Sequence, residues 1–343
     1  MASFATRLIA WQKRHGRRGL PWQGTRDPYA IWIAEIMLQQ TRVATVIPYY
    51  ERFLARFPDI ATLADSGLDD VLRLWSGLGY YSRARNLHRA ARSISEHHGG
   101  AFPSRFEGVA ALPGIGRSTA SAICVFAYGA RKAILDGNVK RVLARCFGVA
   151  GYPGEKRVAD RLWRLAEQLA PRRGIEAYTQ GLMDLGAAVC TRREPDCAKC
   201  PVDRLCVARK RGWVERLPRP RPRRPLPYKR TVMLMLTRAG EVLLEKRPAA
   251  GIWGGLWCLP ELATDADVAA ACAQRFGASV AHAETLPPVA HGFTHFRLEI
   301  RPVHVRVGAL EARAAEPGAV WLPLEDARGA AVPAPVRRIL AAL

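Results

Sequence analysis

The sequence predicts a chain of two domains, the first all-helical and the second of mixed α+β class. Three observations support this: a length of 343 residues, apolar residues at helical spacing in the first two thirds, and alternating apolar runs in the last third. The segment RLPRPRPRRPLPYKR (216–230) holds five prolines and therefore favours an extended connector. We predict a helical domain over residues 1–213, a linker over 214–230 and an α+β domain over 231–343.

Helical periodicity recurs along the first domain, with short breaks at glycine and proline. The predicted helices are Thr6–Lys13, Pro28–Phe57, Leu68–Leu74, Arg83–His97, Thr119–Tyr128, Val139–Phe147, Lys156–Leu169 and Ala177–Val189. In the second domain, TVMLMLT and EVLLEKR flank Arg238-Ala239-Gly240 and predict a β-hairpin. Val268–Phe276 then predicts a helix, and FRLEIRPVHVRV predicts a further strand.

The basic charge lies almost entirely before the second domain. The chain has 52 Lys and Arg against 30 Asp and Glu, a formal net charge of +22. Residues 1–215 hold 34 basic and 19 acidic groups, residues 216–230 add 7 basic groups, and the remainder is balanced. This distribution favours a polyanion partner such as nucleic acid. An arginine-rich genome would explain the same excess without a partner, so composition alone leaves both explanations open.

No apolar run approaches the roughly 18 residues that a membrane-spanning helix needs. The N-terminus, MASFATRLIAWQKRHGRRG, also lacks the apolar core and cleavage site of a secretion signal. We therefore expect a soluble, cytoplasmic protein with no membrane partner.

Two carboxylates are candidates for acid and electrostatic catalysis. On a helix, Glu35 has the neighbours Ile31, Trp32, Leu38 and Gln39, three of them apolar. A carboxyl in such surroundings has a raised pKa and can hold a proton near neutral pH. Asp136 follows an apolar triplet and precedes a glycine and a predicted helix. It is a candidate functional carboxylate, although helix capping, shared with Asn138, explains the same position.

The segment LPGIGRSTA (112–120) predicts a tight turn before a helix. Gly114 and Gly116 permit the turn, and Ser118 opens the helix, so that backbone N–H groups can point at a phosphate. An ordinary helix–helix turn accounts for the pattern equally well.

Four cysteines fall within 17 residues, at Cys190, Cys197, Cys200 and Cys206. The spacing C-x6-C-x2-C-x5-C suits four thiolate ligands to one metal centre. Spacing alone leaves tetrahedral zinc and an iron–sulfur cluster both open.

Taken together, these motifs resemble those of the helix-hairpin-helix DNA glycosylases that carry a 4Fe–4S cluster. Further segments resemble the adenine DNA glycosylases among them, namely LPWQ (20–23), AEIMLQQTRVATVIPYY (34–50), GLGYYSRARNLH (77–88) and the second domain, which resembles a Nudix fold. The resemblance implies an all-α catalytic domain with an iron–sulfur loop at the four cysteines. It also implies removal of adenine mispaired with 8-oxoguanine or guanine in double-stranded DNA, by a monomer.

The resemblance also implies roles for individual residues. It makes Glu35 the general acid and Asp136 the carboxylate that stabilises the sugar cation. The expected DNA contacts are Gln40 and Tyr80, which wedge into the base stack, and Gly114, Gly116, Arg117, Ser118, Asn138 and Lys140. The expected contacts to the extruded adenine are Trp22, Gln23 and Gln180, and those to 8-oxoguanine are Phe293, Thr294 and His295. Family members usually have serine where Thr294 stands.

Two alternatives remain at this point. An endonuclease III-like enzyme would carry a Schiff-base lysine where this chain has Ser118, and no amine nucleophile is available there. Many adenine glycosylases have tyrosine at this position. A Nudix nucleotide hydrolase is the second alternative, because Gly255 and Glu261 match the start of its metal box. The remaining metal-box positions are Ala269, Ala270, Ala273 and Gln274, which supply no carboxylates for magnesium.

Overall fold

The computed structural model describes residues 3–222, 225–311 and 318–343, so that residues 223 and 224 of the predicted linker lie outside the described residues. The chain divides into two compact units. The first consists of the described residues up to 65 together with 86–222, and the second of 66–85 together with the described residues from 225 onwards. Residues 66–85 thus group with the second unit, although they precede the linker in sequence. The domain boundaries at residues 213 and 231 stay predictions.

Residues 3–222 form helices and contain no strand, which confirms the all-helical prediction for this part of the chain. The helices are α1 (Phe4–His15), α2 (Pro28–Met37), α3 (Val43–Arg56), α4 (Ile60–Asp65), α5 (Leu68–Trp75), α6 (Ser82–His98), α7 (Phe106–Ala111), α8 (Arg117–Tyr128), α9 (Gly137–Cys146), α10 (Lys156–Leu169), α11 (Ile175–Asp184) and α12 (Val207–Lys210). Helix α5 and the first four residues of α6 belong to the second unit.

Capping fixes where two of these helices begin. Asp27 precedes α2, and its carboxylate accepts the N–H of Tyr29 at 2.9 Å. Asp136 precedes α9, and its carboxylate accepts the N–H of Val139 at 2.8 Å. Such caps satisfy N–H groups that have no partner within the helix. The cap of α2 therefore sets the position of Glu35 on its helix, and the cap of α9 holds Asp136 at a helix entrance.

The predicted helix Pro28–Phe57 is in fact two helices, α2 and α3. Gln40 lies in the turn between them with φ of 58°. This left-handed conformation cannot continue an α-helix, so the apolar periodicity runs through a break that the sequence pattern does not reveal.

A second departure occurs at the predicted helix Ala177–Val189. Its α-helical part ends at Asp184, and residues Leu185–Val189 form a π-helical turn. Gly186 in this turn lies directly against α9, because a Cβ atom at position 186 would come within 2.6 Å of the Cβ of Asn138. Only glycine permits this approach, which brings the segment before Cys190 onto α9.

The core of the first unit has two parts that matter for the site. Helices α1, α9, α10 and α11 pack around fully buried residues such as Leu8, Val142 and Leu162. Helix α2 is buried along nearly its whole length, and its Trp32 ring lies 5.4 Å from the ring of Phe102. Glu35 is therefore an ionisable side chain on an otherwise apolar helix.

The part of the second unit that follows residue 224 forms one sheet and short helices. Its elements are β1 (Tyr228–Arg238), β2 (Glu241–Lys246), β3 (Trp257–Cys258), β4 (Glu261–Leu262), α13 (Val268–Phe276), β5 (Ala278–Thr285), β6 (Val289–Gly292), β7 (Arg297–Leu310), β8 (Ala319–Pro323), α14 (Leu324–Gly329) and α15 (Ala334–Leu340). The sheet order is β3-β2-β1-β7-β5, with β4 on β1, β6 on β7 and β8 on β2. The predicted hairpin, helix and strand are confirmed as β1–β2, α13 and β7, and the fold class is α+β as predicted.

Ser76 joins residues 66–85 to the C-terminal part of the second unit. Its hydroxyl donates to the carbonyl oxygen of Val332 at 3.0 Å and accepts a hydrogen bond from the Arg337 guanidinium at 2.6 Å. Ser76 is only 6% exposed. Both hydrogen bonds are therefore shielded from water, where they are hardest to replace.

Two further contacts hold the same segment. The Lys246 ammonium on β2 donates to a carboxylate oxygen of Asp69 at 2.6 Å, and the Arg85 guanidinium donates to the carbonyl oxygen of Gly254 at 2.6 Å. Together with Ser76, these bonds attach α5 and the turn after it to the sheet-containing unit. Among the described residues, no helix is long and apolar enough to cross a membrane.

Candidate active site

A cavity of about 880 Å³ in the first unit brings together most of the predicted catalytic and base-binding residues. Its walls come from the loop after α1, from α2, from the starts of α8 and α9, and from α11. The predicted residues that line it are Trp22, Gln23, Glu35, Ser118, Asp136, Asn138 and Gln180. Residues that lie up to 158 positions apart in sequence thus share one site.

Glu35 borders this cavity from α2. Its removal from bulk water raises the pKa of the carboxyl to about 7, and the negative charge of Asp136 adds to the rise. At neutral pH a large fraction of Glu35 is therefore protonated. A protonated carboxyl beside a cavity can act as a general acid.

Asp136 stands at the entrance of α9. Burial raises its pKa, while the N–H groups of Val139 and Asn138 and the cations Arg141 and Lys140 oppose the rise. The charge of Asp136 is in turn a cause of the raised pKa of Glu35. The cavity thus holds two carboxyl groups, and burial raises the pKa of both.

Ser118 lies in the first turn of α8 and touches the same cavity. Its hydroxyl oxygen accepts a hydrogen bond from the backbone N–H of Leu135 at 2.9 Å, and Leu135 directly precedes Asp136 in sequence. Ser118 therefore fastens the start of α8 to the segment that carries Asp136. The position holds no amine, in agreement with the sequence.

The turn at Gly114 and Gly116 forms before α8 as predicted, and it follows α7, a short helix that the sequence pattern does not predict. Gly114 has φ of 79°, and a Cβ atom there would lie 2.6 Å from the Cβ of Asn86. Arg117 stacks over the ring of Trp163 at 3.9 Å and forms an ion pair with Glu167. The Arg117 guanidinium therefore supports the turn from the side of α10.

Asn138 and Lys140, the two predicted DNA contacts in α9, differ in where their side chains lie. Asn138 accepts a hydrogen bond from Arg141 at 2.9 Å, and Lys140 is half-buried in the first turn, outside the cavity wall. Asn138 lines the cavity, whereas Gln40 and Tyr80 do not. The cavity therefore does not account for Gln40, Tyr80 and Lys140, and these residues remain predicted DNA contacts.

Tyr80 sits at the tip of a tightly held turn in the second unit, with φ of 48° and 44% of its surface exposed. The Trp75 indole and the Arg83 guanidinium both donate to the carbonyl oxygen of Gly79, at 3.1 and 3.0 Å. Gln40 in the first unit is likewise exposed and left-handed. Exposed non-glycine residues held in this strained conformation are frequent at functional sites.

Cys190, Cys197, Cys200 and Cys206 line one small cavity beside the start of α12. A fifth cysteine, Cys146, lines it too, and its hydrogen bond to Cys206 lowers the pKa of the Cys206 thiol to about 6. Within the described part of the chain, no three potential ligands converge closely enough to hold a metal ion. The donor set itself, with four thiols around one cavity, suits a thiolate-bound metal centre.

Arg145 organises this cysteine loop. It is 3% exposed, and its guanidinium donates to the carbonyl oxygens of Leu217, Thr191 and Arg192 at 2.9, 2.6 and 3.3 Å. It also donates to the sulfur of Cys190 at 3.4 Å. Sequence reasoning missed Arg145, because one more arginine in a basic chain carries no signal.

Phe293, Thr294 and His295 form the turn between β6 and β7 in the second unit. The Phe293 N–H donates to the carbonyl oxygen of Phe296 at 2.9 Å, and the two rings stack with centroids 4.4 Å apart. Trp253 supports the Phe293 ring at 5.5 Å. Thr294 and His295 are exposed at the tip of the turn. The stacked rings of Phe293 and Phe296 beneath them therefore support two exposed polar side chains.

Two carboxylates near the metal-box positions of the second unit are paired with arginine. Glu261 forms an ion pair with Arg247 at 2.8 Å, and Glu245 accepts two hydrogen bonds from Arg275 at 2.7 and 3.0 Å. The carboxylate oxygens that a magnesium ion would need as ligands are therefore already bound by guanidinium groups.

Comparisons with known proteins agree with this architecture. The model of the HhH-GPD superfamily base excision DNA repair proteins matches residues 33–168, and the NUDIX domain model matches residues 231–342. A thermostable thymine-DNA glycosylase superposes with a TM-score of 0.56 and 31% identity, over 61% of this chain and 95% of that one. An endonuclease III in a non-covalent DNA complex superposes with a TM-score of 0.51 and 21% identity over 60% of this chain and 92% of that one, which shows likeness of fold.

The fold and the acid-lined cavity thus define the class as helix-hairpin-helix base excision repair enzymes with a Nudix-type second domain. The adenine DNA glycosylase of Buchnera aphidicola subsp. Acyrthosiphon pisum (strain APS) is 36% identical over 338 residues, 98% of this chain and 96% of the relative. The adenine DNA glycosylase of Homo sapiens is 32% identical over 402 aligned positions, 99% of this chain and 73% of the relative. This chain belongs to the adenine DNA glycosylase family, which confirms the resemblance inferred from the sequence.

Proposed function

We propose that this protein hydrolyses the N-glycosidic bond of adenine in double-stranded DNA, where adenine is mispaired with 8-oxoguanine or guanine. The observation that carries the proposal is the pairing of Glu35 and Asp136 in one cavity, with the pKa of Glu35 raised to about 7. Family membership supports adenine as the base that is removed.

The adenine must leave the duplex before these carboxylates can reach it. Extrusion of a base costs a few kcal/mol, and a mismatch lowers this cost. A cavity of about 880 Å³ has room for a purine base together with part of its sugar. Trp22, Gln23 and Gln180 line the cavity and are the proposed contacts to the extruded adenine.

Glu35 donates its proton to an imidazole-ring nitrogen of adenine, which turns the base into a neutral leaving group. The bond between that base and the sugar then breaks, and positive charge develops on the sugar. The ionised Asp136 stabilises this charge, as the second carboxylate does in other glycoside hydrolases. A water molecule adds to the sugar carbon, and the proton it loses replaces the one that Glu35 gave up.

Other residues grip the duplex in this proposal. Gln40 and Tyr80 are exposed, held in left-handed turns, and available to wedge into the base stack. The N–H groups of the turn at Gly114, Gly116 and Ser118 stand at the start of α8, where a helix favours a phosphate. Further contacts to the DNA backbone would come from side chains at the starts of α8 and α9, namely Arg117, Asn138 and Lys140.

The second unit reads the base opposite adenine in this proposal. Thr294 and His295 are exposed on a turn that Phe293 stiffens from below. A hydroxyl and an imidazole can both donate and accept hydrogen bonds, as recognition of an oxidised guanine requires. Because threonine adds a methyl group to the serine usual in the family, contact distances at this tip will differ from those of its relatives.

We also propose that Cys190, Cys197, Cys200 and Cys206 hold a 4Fe–4S cluster, which the family resemblance implies. When bound, such a cluster would act as a structural cross-link of the loop, with no role in the chemistry of the base. Arg145 would place positive charge beside the thiolate of Cys190, to which it already donates a hydrogen bond.

The two alternative functions find no support at the residues they need. An endonuclease III-like lyase requires an amine at the position of Ser118, whose oxygen instead accepts the Leu135 N–H. A Nudix hydrolase requires carboxylates that, in the second unit, are paired with Arg247 and Arg275. We further propose that the protein acts as a monomer in the bacterial cytosol or nucleoid, where its DNA substrate lies.

A glycosylase assay on duplexes with adenine opposite each base tests the proposal. We expect base release opposite 8-oxoguanine and guanine, and little release opposite thymine. Cleavage of oxidised pyrimidines, with no release of adenine from any of the duplexes, would overturn it.

A further inference from the structure

Asp184 is a buried carboxylate that the mechanism above does not use. It is the last residue of α11 and is only 1% exposed. Its oxygens accept three hydrogen bonds. Two come from Arg17, from the backbone N–H at 3.0 Å and from the side-chain Nε–H at 2.6 Å, and the third comes from the side-chain amide of Gln180 at 2.8 Å. Arg17 and Gln180 both line the active-site cavity.

The carboxylate thereby connects two walls of the cavity. Arg17 belongs to the loop after α1, and its carbonyl oxygen accepts a hydrogen bond from the Gln23 amide at 3.1 Å. The side-chain amide oxygen of Gln23 in turn accepts a hydrogen bond from the backbone N–H of Leu20 at 3.2 Å. Asp184 thus holds the loop that carries Gln23 against the helix that carries Gln180.

A carboxylate can only accept hydrogen bonds, and this fixes the orientation of the Gln180 amide. The NH₂ group of Gln180 must face Asp184, which leaves the amide oxygen on the other side. Among the described residues, none donates to that oxygen. Because Gln180 lines the cavity, its unengaged acceptor is available to a base inside it.

We infer that Asp184 is a specificity-determining positioning residue, which turns the Gln180 amide so that the cavity meets an incoming purine with a hydrogen-bond acceptor. An amino group at C6, as in adenine, matches this acceptor. A keto oxygen at C6, as in hypoxanthine, would face it oxygen to oxygen. The inference rests on the proposed function and specifies how that site selects its base, since a site built to bond one polar group rejects analogues that lack it.

Two substitutions at position 184 separate orientation from charge. Oδ1 of Asp184 accepts both the Arg17 Nε–H and the Gln180 amide, so the single oxygen of Asp184→Asn can keep both bonds. Its NH₂ group then loses only the third bond, from the Arg17 backbone N–H, which does not involve Gln180. Asp184→Leu has a similar volume and accepts nothing, so that Gln180 can turn. The measured quantity is the single-turnover ratio of adenine release to release of unsubstituted purine, both opposite 8-oxoguanine.

We expect Asp184→Asn to keep the adenine-to-purine ratio of the wild type, and Asp184→Leu to lower it by about 3- to 10-fold, the effect of one hydrogen bond. Gln180→Met should lower the ratio equally without touching the buried carboxylate, which covers the case in which Asp184→Leu does not fold. An unchanged ratio in Asp184→Leu or Gln180→Met, or an equal loss in Asp184→Asn, would overturn the inference.

Binding measurements distinguish a failure of this inference from a failure of the proposed function. If the wild type releases no adenine, the proposed function fails. The relative affinity of the wild type and of Gln180→Met for free adenine and free hypoxanthine, measured by ligand-observed NMR, still decides the inference. Preference for adenine that disappears in Gln180→Met supports it, and equal affinity of the wild type for both bases contradicts it.

Discussion

The negative charge of Asp136 raises the pKa of Glu35, and the two side chains line the same cavity. Removal from water is the larger cause, and together they bring the Glu35 pKa to about 7. The cap at α9 holds Asp136 in place, and the buried apolar neighbours of Glu35 on α2 leave its side chain only partly exposed. The site thus places a proton donor, with a pKa near neutral pH, beside a second carboxyl group.

Glu35→Gln should abolish most base removal and leave DNA binding intact. The amide has the shape of the carboxyl but cannot transfer its proton, and loss of a positioned acid typically costs about 10²–10⁴ in rate. Single-turnover cleavage of an adenine·8-oxoguanine duplex measures the rate, and gel shift with the same duplex measures binding. Glu51→Gln, on the exposed side of α3, is the matched control and should cleave like the wild type. Near-normal cleavage by Glu35→Gln would show that Glu35 is not the general acid.

Borohydride should trap little covalent enzyme–DNA adduct with the wild type, because Ser118 cannot form a Schiff base. Ser118→Lys places an amine at the cavity and should gain trapping, although it loses the hydrogen bond from the Leu135 N–H. Ser104→Lys, an exposed position outside the cavity, is the control and should not trap. Strong trapping by the wild type would favour the endonuclease III-like alternative.

The residues that could be found from sequence are those whose chemistry is local. Glu35 stands out because its helical neighbours are apolar, and the four cysteines stand out by spacing. Asp184 and Arg145 do not, because their partners lie up to 167 and 72 positions away in sequence. Their roles depend on buried hydrogen bonds that only the folded chain creates.

The fold shows the same limit. Long amphipathic helices and the β1–β2 hairpin follow from local patterns, whereas α4 and α7, with six residues each, are too short to show a period. The parallel pairing of β1 with β7 joins residues 69 positions apart and leaves no local trace. The grouping of residues 66–85 with the second unit depends on Ser76, Asp69 and Arg85 meeting partners that lie far along the chain.

Thr294→Ala should reduce the preference for adenine opposite 8-oxoguanine over adenine opposite guanine. Thr294 is exposed at the tip of the turn, and a discriminating base contact is typically worth about 1–3 kcal/mol. The ratio of the two single-turnover rates is the measurement, and Thr294→Ser, which keeps the hydroxyl, is the control. An unchanged ratio in Thr294→Ala would mean that the hydroxyl does not read the damaged base.

Truncation near Trp213 should retain Glu35 and Asp136, the carboxylates proposed as catalytic, but lose more than the turn proposed to read 8-oxoguanine. It removes Val332, Arg337, Lys246 and Gly254, the partners that hold residues 66–85. We therefore expect weaker DNA binding in addition to more similar rates opposite 8-oxoguanine and guanine. Ser76→Ala in the full chain should reproduce part of the binding loss, because it removes two of these bonds, and should leave the rate ratio unchanged. If truncation slowed both substrates equally, the second unit would be a DNA clamp alone.

The purified protein should be yellow-brown and contain iron. Thiolate-bound iron clusters absorb broadly near about 400 nm, and this absorption gives the colour. Cys200→Ser should lose colour and iron, whereas Cys272→Ser, which changes a buried cysteine of the second unit, should keep both. Metal analysis of protein prepared without oxygen measures the outcome. Stoichiometric zinc without iron would contradict the cluster assignment.

The pH dependence of single-turnover adenine release tests the central role of Glu35 most directly. The acid must carry its proton, and burial with the charge of Asp136 has raised its pKa to about 7. The rate should therefore be highest below pH 7 for as long as Asp136 stays ionised, and it should fall about tenfold for each further unit of pH above 7. Glu35→Gln should lack this fall. A rate that stays level or rises between pH 7 and 9 would contradict a proton held by Glu35.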